Sequence, residues 1–95
     1  MLYTFSQGDF PANQLTAYLQ QANEQDVVVF WQDGVLLALK YPQIVQQCAA
    51  PCYLLENDLQ ARGLLDLLPE TQKEQAISIK FFVELSEKYF PQLAL

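Results

Sequence analysis

The run Val27-Val28-Val29-Phe30-Trp31 constrains this chain more than any other stretch. Consecutive β-branched and aromatic residues favour an extended strand. A strand that is apolar on both sides needs cover on both faces, as in a parallel sheet packed between helices. Gln32-Asp33-Gly34 then supplies turn chemistry, with Asp33 placed to cap whatever follows.

The rest of the chain arranges itself around that strand. Leu2 to Phe5 reads as a short strand, followed by a turn at Ser6-Gln7-Gly8-Asp9 and Pro11. Asn13 to Ala22 reads as a helix, with Leu15, Tyr18, Leu19 and Ala22 at helical spacing. Val35 to Lys40 is apolar and fits either a helix or a strand. Gln43 to Ala49 continues as helix until Pro51 breaks it. Cys52 to Leu55 is a third strand. Asn57 or Asp58 is placed to cap a short helix that carries Leu59, Arg62 and Leu65 and is interrupted at Gly63. Pro69 to Gln75 reads as an exposed polar loop, and Ala76 to Ile79 as a fourth strand. Phe81 to Phe90 is the last helix, with Phe82, Leu85 and Tyr89 on one stripe. Pro91 ends it before the apolar tail Gln92-Leu93-Ala94-Leu95. The alternation of strand and helix predicts an α/β fold: one small domain over residues 1–95, with a mostly parallel sheet of about four to five strands and helices on both faces.

Charge and composition narrow the function. The 95 residues carry a formal net charge of −6, and the five basic residues (Lys40, Arg62, Lys73, Lys80 and Lys88) are scattered. A phosphate backbone or an anionic membrane surface calls for clustered cations, so neither is an expected direct partner. No segment approaches the roughly 18 apolar residues of a membrane span. Met-Leu-Tyr-Thr-Phe at the start reads as a strand and not as a signal peptide. The cytoplasm is therefore the expected compartment, where two cysteines stay reduced. Hydrophobic residues make up 52% and charged residues only 17%. Such a balance fits either a rich core or a surface partly buried against partners. The last helix, bounded by Phe81, Phe90 and the apolar tail, is apolar on more than one side. Either the tail folds back over it or a partner chain covers it.

Chemistry is sparse. Sites in open parallel sheets gather at the carboxyl ends of the strands. There the sequence places Gln7-Gly8-Asp9, Gln32-Asp33-Gly34, Glu56-Asn57-Asp58 and Lys80. Asp33 and Glu56 are the one acid/base pair that can be proposed, set against the routine role of such residues as caps facing water. The chain has no histidine, hence no His-based triad and no His-ligated metal. It has neither a dinucleotide nor a P-loop glycine motif. Cys48 and Cys52 are four apart, with Ala49-Ala50-Pro51 between them. Two thiolates do not complete a zinc site, and the spacing is not that of a C-x-x-C pair. Cys48 falls near a helix C-terminus, where the dipole is expected to raise its thiol pKa. Cys52 begins a strand at the edge opposite the expected site. Inert buried thiols are the expectation for both, and no catalytic, cofactor-binding or metal-binding residue is assigned.

Several segments together resemble the TusB/DsrH family: Met1-Leu2-Tyr3-Thr4, Gln32-Asp33-Gly34-Val35, Leu55-Glu56-Asn57-Asp58-Leu59-Gln60-Ala61-Arg62-Gly63, Phe82-Val83-Glu84-Leu85, and Pro91-Gln92-Leu93-Ala94. Asn-Asp-Leu-x-Ala-Arg-Gly is the most distinctive of these. The resemblance implies a subunit of a bacterial cytoplasmic sulfur relay, without a cofactor of its own. In that relay TusC-like and TusD-like subunits complete a hetero-hexamer, a TusA-like donor supplies persulfide sulfur, and a TusE-like acceptor receives it. The sulfur ends in the 2-thiouridine of a tRNA wobble position, or serves sulfur oxidation in the DsrH-like branch. The family's sulfur-bearing cysteine belongs to the TusD-like subunit. DsrH-like members also carry a cysteine in the first helix, whereas Asn13 to Ala22 has none. The resemblance therefore implies a structural, non-catalytic subunit of the TusB-like branch that meets nucleic acid only indirectly and can self-associate when isolated. The alternative is that Cys48 or Cys52 itself carries persulfide.

Overall fold

In a computed structural model covering residues 1–95, the valine run lies at the centre of a wholly parallel sheet. The strands β1 (Leu2–Phe5), β2 (Val27–Phe30), β3 (Cys52–Leu55), β4 (Ala76–Ile77) and β5 (Gln92–Ala94) stand in the order β4-β3-β2-β1-β5. Leu2 lies opposite Val27 and Phe5 opposite Phe30, while Val28 lies opposite Cys52. All four β2 residues are buried, as the unalternating sequence requires.

Strand order dictates where the helices go. Three successive connections step one strand at a time in a single direction, from β1 to β4. Right-handed crossovers put the helices of all three steps on the same face. These are α1 (Ala12–Gln21), α2 (Val35–Lys40), α3 (Pro42–Gln46), α4 (Glu56–Ala61) and α5 (Glu70–Lys73). The last connection runs back across the whole sheet to β5, so the same handedness sends α6 (Ile79–Lys88) to the other face. Period-two alternation along each strand then divides the core. Tyr3, Phe5, Val28, Phe30 and Leu54 pack with Leu15, Leu19, Leu37 and Leu59 on the first face. Leu2, Val27 and Val29 pack with Ile77 and Leu85 on the second, joined by Tyr53, Phe82 and Tyr89. Trp31 continues that alternation, meeting Phe82 edge to face with ring centroids 5.5 Å apart.

The two faces are unequally covered. Five strands at a spacing of about 4.8 Å span roughly 19 Å from first to last. A single helix is about 10 Å across. One helix therefore shields about half of the second face, and Gln92 and Ala94 of β5 are exposed. The α6 region also presents Ile79 (51% exposed), Val83 (48%), Phe81 (37%) and, just beyond it, Phe90 (66%).

Four local expectations are corrected. Asp33 does not cap α2, because Gln32–Gly34 is a 3-10 turn running directly into that helix. Neither Asn57 nor Asp58 caps α4, which begins straight after β3 at Glu56. The helix expected over Gln43 to Ala49 is the single turn α3. The expected loop from Pro69 to Gln75 holds α5, and Gln72 is only 2% exposed. The reason lies at Pro42. A proline has no N–H, so the Ala38 carbonyl four residues earlier lacks its helical donor. Gln72 Nε2 donates to that carbonyl at 3.0 Å.

The tail takes a route that sequence patterning did not predict. It neither folds over α6 nor stands free, but becomes β5 against the outer edge of β1. Leu95 N–H donates to Thr4 O at 2.7 Å, and Ser6 N–H donates to Leu95 O at 2.9 Å. These bonds satisfy backbone groups that an edge strand would otherwise leave open.

Candidate functional site

The carboxyl edge of the sheet holds the acids, and most of them are engaged in structure. Gly34 must be glycine, because a Cβ there would stand 1.9 Å from the Phe5 carbonyl oxygen. The turn before it is also constrained. Gln32 takes a positive φ of 52°, a conformation that favours glycine or asparagine. Its N–H is held by Asp58 Oδ2 at 2.6 Å. Arg62, one turn along from Asp58, spans the gap. Its Nη1 lies 3.4 Å from Asp58 Oδ1, and its Nε and Nη2 lie 3.1 Å and 2.8 Å from Asp33 Oδ1. The two aspartates hold the guanidinium pKa above its ordinary value, with Asp33 the larger influence. Gly63 follows at φ +63°, ending the helical segment in the left-handed region open to glycine. The distinctive Asn-Asp-Leu-x-Ala-Arg-Gly stretch is thus a clamp fixing the β2–α2 turn to α4.

This arrangement does not assemble the acid/base pair considered for Asp33 and Glu56. Asp33 is neutralised by Arg62. Glu56 is exposed and accepts only from Gln60 Nε2 of its own helix, at 3.4 Å. Lys80 is exposed on α6, and Asp9 lines a shallow groove with Ser6, Gln7, Gly8 and Leu36. No group of three or more Cys, Asp or Glu side chains converges on a point that could hold a metal ion.

The opposite edge of the sheet carries the thiols. Cys52 opens β3 and is buried, while Cys48 is half-buried after α3. Cys48 Sγ lies 3.6 Å from the Leu19 carbonyl oxygen, tying the turn to α1. The Cys52 S–H has two acceptors in reach, the Ala50 carbonyl oxygen at 3.6 Å and the Cys48 sulfur. Hydrogen bonding from Cys52 brings the Cys48 pKa down to about 7, helped by the Ala50 backbone and opposed by burial and by Asp26. The thiol of Cys52 moves strongly upward, because it donates to Cys48 and is buried. The expectation that a helix dipole raises the Cys48 pKa is therefore reversed. The helix α3 is one turn long and closes at Gln46, so its dipole is small, while a donor lies directly beside the sulfur. A cavity of about 230 Å³ opens next to Cys48, lined by Thr16, Leu19, Gln20, Ile44 and Gln47 among others. Helical periodicity gave no sign of this meeting, because the turn at Ala49-Ala50-Pro51 creates it.

A wholly parallel five-stranded sheet, five helices on one face and one on the other, defines a small α/β protein with no helix long and apolar enough to cross a membrane. Comparison with known proteins makes this specific. A model of the family described as DsrH like protein matches residues 7–92. The chain is 50% identical over 95 residues to an uncharacterized protein of Haemophilus influenzae, with both chains covered in full. It is 34% identical over 97 residues to Protein TusB of Yersinia pestis and of Yersinia pseudotuberculosis, with 99% of each chain covered. The solution NMR structure of protein Tm0979 from Thermotoga maritima shares the fold. Its TM-score is 0.60 at 22% identity, over 96% of this chain and all of that one. The chain belongs to the TusB/DsrH family.

Proposed function

We propose that this chain is a structural, non-catalytic subunit of a cytoplasmic sulfur relay. In this reading it assembles with TusC-like and TusD-like subunits into a hetero-hexamer. The complex receives persulfide sulfur from a TusA-like donor and passes it through a TusE-like acceptor toward 2-thiolation of the tRNA wobble uridine. Membership of the TusB/DsrH family supports the sulfur relay role. The 34% identity to proteins named TusB favours the tRNA branch over sulfur oxidation.

The observation that carries the subunit reading is the half-covered second face of the sheet. Val83 and Ile79 are about half exposed on α6, and Phe90 is two-thirds exposed beside it. Contiguous apolar surface on a small acidic domain is what a permanent protein partner covers. The carboxyl-edge acids support the non-catalytic part, since Asp33, Asp58 and Arg62 are committed to holding a turn.

The test is a gene deletion followed by nucleoside analysis of bulk tRNA. The reading predicts loss of 2-thiouridine, restored by the wild-type chain and equally by the Cys48→Ser, Cys52→Ser double variant. Unchanged 2-thiouridine after deletion refutes the tRNA destination. Failure of a folded, assembled double variant to restore it refutes the non-catalytic role.

A further inference from the structure

The pair of thiols at the amino edge of the sheet has no part in the assembly just proposed. Three features of it stand together. Cys48 and Cys52 share a hydrogen bond across one tight turn. Cys48 is half-buried while Cys52 is closed off, so an incoming reagent meets Cys48 first. The accessible sulfur borders a cavity of about 230 Å³ whose wall combines the Leu19 and Ile44 side chains with Thr16, Gln20 and Gln47. Such a wall suits a small group with an aliphatic body and a polar end.

We propose that Cys48 and Cys52 form a dithiol modification site, in which Cys48 attacks a small disulfide seated in the adjoining cavity and Cys52 then closes onto Cys48. In the first step the Cys48 thiolate attacks one sulfur of R–S–S–R. A Cys48–S–S–R bond forms, the S–S bond of the reagent breaks, and RS⁻ leaves with the electron pair. In the second step the Cys52 sulfur attacks Cys48 Sγ, giving the Cys48–Cys52 disulfide. The second RS⁻ leaves, and the Cys52 proton is taken up by a released thiolate. The two protein thiols are oxidised by two electrons and one R–S–S–R is reduced to two thiols. Cys52 does not need to reach solvent for this, because its target is the neighbouring sulfur.

The groups facing Cys48 decide which thiol acts first. Cys52 donates to its sulfur and the Ala50 backbone assists, both favouring a thiolate. Asp26 opposes it, and the Tyr3 hydroxyl nearby has its own pKa raised by burial and by the charges of Asp26 and Cys48. Closure would also withdraw Cys48 from the Leu19 carbonyl, so the oxidation state of the pair bears on how the end of α1 is seated.

The probe is cystamine, whose half-molecules are small and carry a polar amine. The reduced full-length chain is incubated with it at neutral pH and followed by intact mass. The expected end product is a chain lighter by two hydrogens, mapped to a Cys48–Cys52 peptide. Cys52→Ala is expected to stop at a stable cysteamine adduct on Cys48, and Cys48→Ala to stay unmodified. A wild-type chain that remains unmodified, or that keeps stable adducts without closing, overturns the proposal. Because Cys52 is buried and its variant may not fold, a second measurement uses the wild type alone. Brief alkylation followed by peptide mapping is expected to label Cys48 at least about tenfold faster than Cys52. Equal or reversed labelling overturns the assignment. Neither result depends on the sulfur relay reading, which fails or stands on tRNA nucleosides.

Discussion

Arg62 Nη2 lies 2.8 Å from Asp33 Oδ1, joining two turns that are 29 residues apart in the chain. The contact links the end of α4 to the turn after β2, where Gln32 holds a positive φ. Asp58 completes the link by accepting the Gln32 N–H at 2.6 Å. Asp33 is well exposed, so its ion pair with Arg62 is weak by itself. The Asp58 bond to Gln32 is charge-assisted and holds a strained backbone. Asp58→Ala is therefore expected to cost about 1.5 kcal/mol in urea unfolding. Asp33→Ala should cost less. A larger loss for Asp33 would contradict this ranking.

Gly34 sits under the same turn. An added Cβ meets the Phe5 carbonyl oxygen at 1.9 Å and its carbon at 2.6 Å, both backbone atoms that cannot turn aside. Gly34→Ala is expected to destabilise the chain by about 3 kcal/mol, with β1 and β2 forced apart locally. At Gly63 nothing lies within 4 Å of a built Cβ, so Gly63→Ala should act only through its positive φ and cost about 1 kcal/mol. Thermal unfolding of the two variants separates these effects.

The α/β alternation and the central strand were legible because β2 is apolar without interruption and helical spacing marks α1 and α6. The parallel sheet and its helical layers follow from that pattern. Three things were not legible. The orphan carbonyl of Ala38 is created by Pro42 and met by Gln72, a residue 34 positions distant in the chain. The tail's place beside β1 depends on which edge is free after three crossovers. Asp33 and Asp58 look like caps locally, and only the packing of α4 against the β2 turn brings Arg62 between them. At the amino edge, the spacing of Cys48 and Cys52 argued against a shared helical face, which was correct, but the intervening turn brings the sulfurs together by another route.

Gln72 offers a direct check of the first of these. Gln72→Ala leaves the Ala38 carbonyl buried without a donor and is expected to cost about 2 kcal/mol. Gln72→Glu should cost at least as much at neutral pH, since a carboxylate presents no donor. Lowering the pH protonates that carboxyl and should recover part of the loss. Denaturant unfolding of both variants at neutral and acidic pH tests this.

Cys48 gives a pH dependence with a definite sign. Its thiol is brought down to about 7, chiefly by the Cys52 S–H, so the reactive thiolate is lost as pH falls below that value and saturates above it. The alkylation rate of Cys48 should rise with pH to a plateau, with its midpoint near 7. Cys52→Ala removes the donor and should move the midpoint upward toward that of an ordinary thiol, about 8.5. An unmoved midpoint would remove Cys52 as the cause.

The account rests most heavily on the half-covered second face of the sheet, where Val83 and Ile79 of α6 stand beside Phe90. The measurement that addresses it is affinity capture of the tagged chain at native expression level, beside a Val83→Glu variant, with intact-mass analysis of what accompanies each. The account predicts two small partner chains with the wild type, one of them carrying labile sulfur. It predicts that Val83→Glu stays folded and loses both. A wild-type chain that emerges alone, or that itself carries the added sulfur, would contradict the account, as would a variant that keeps both partners.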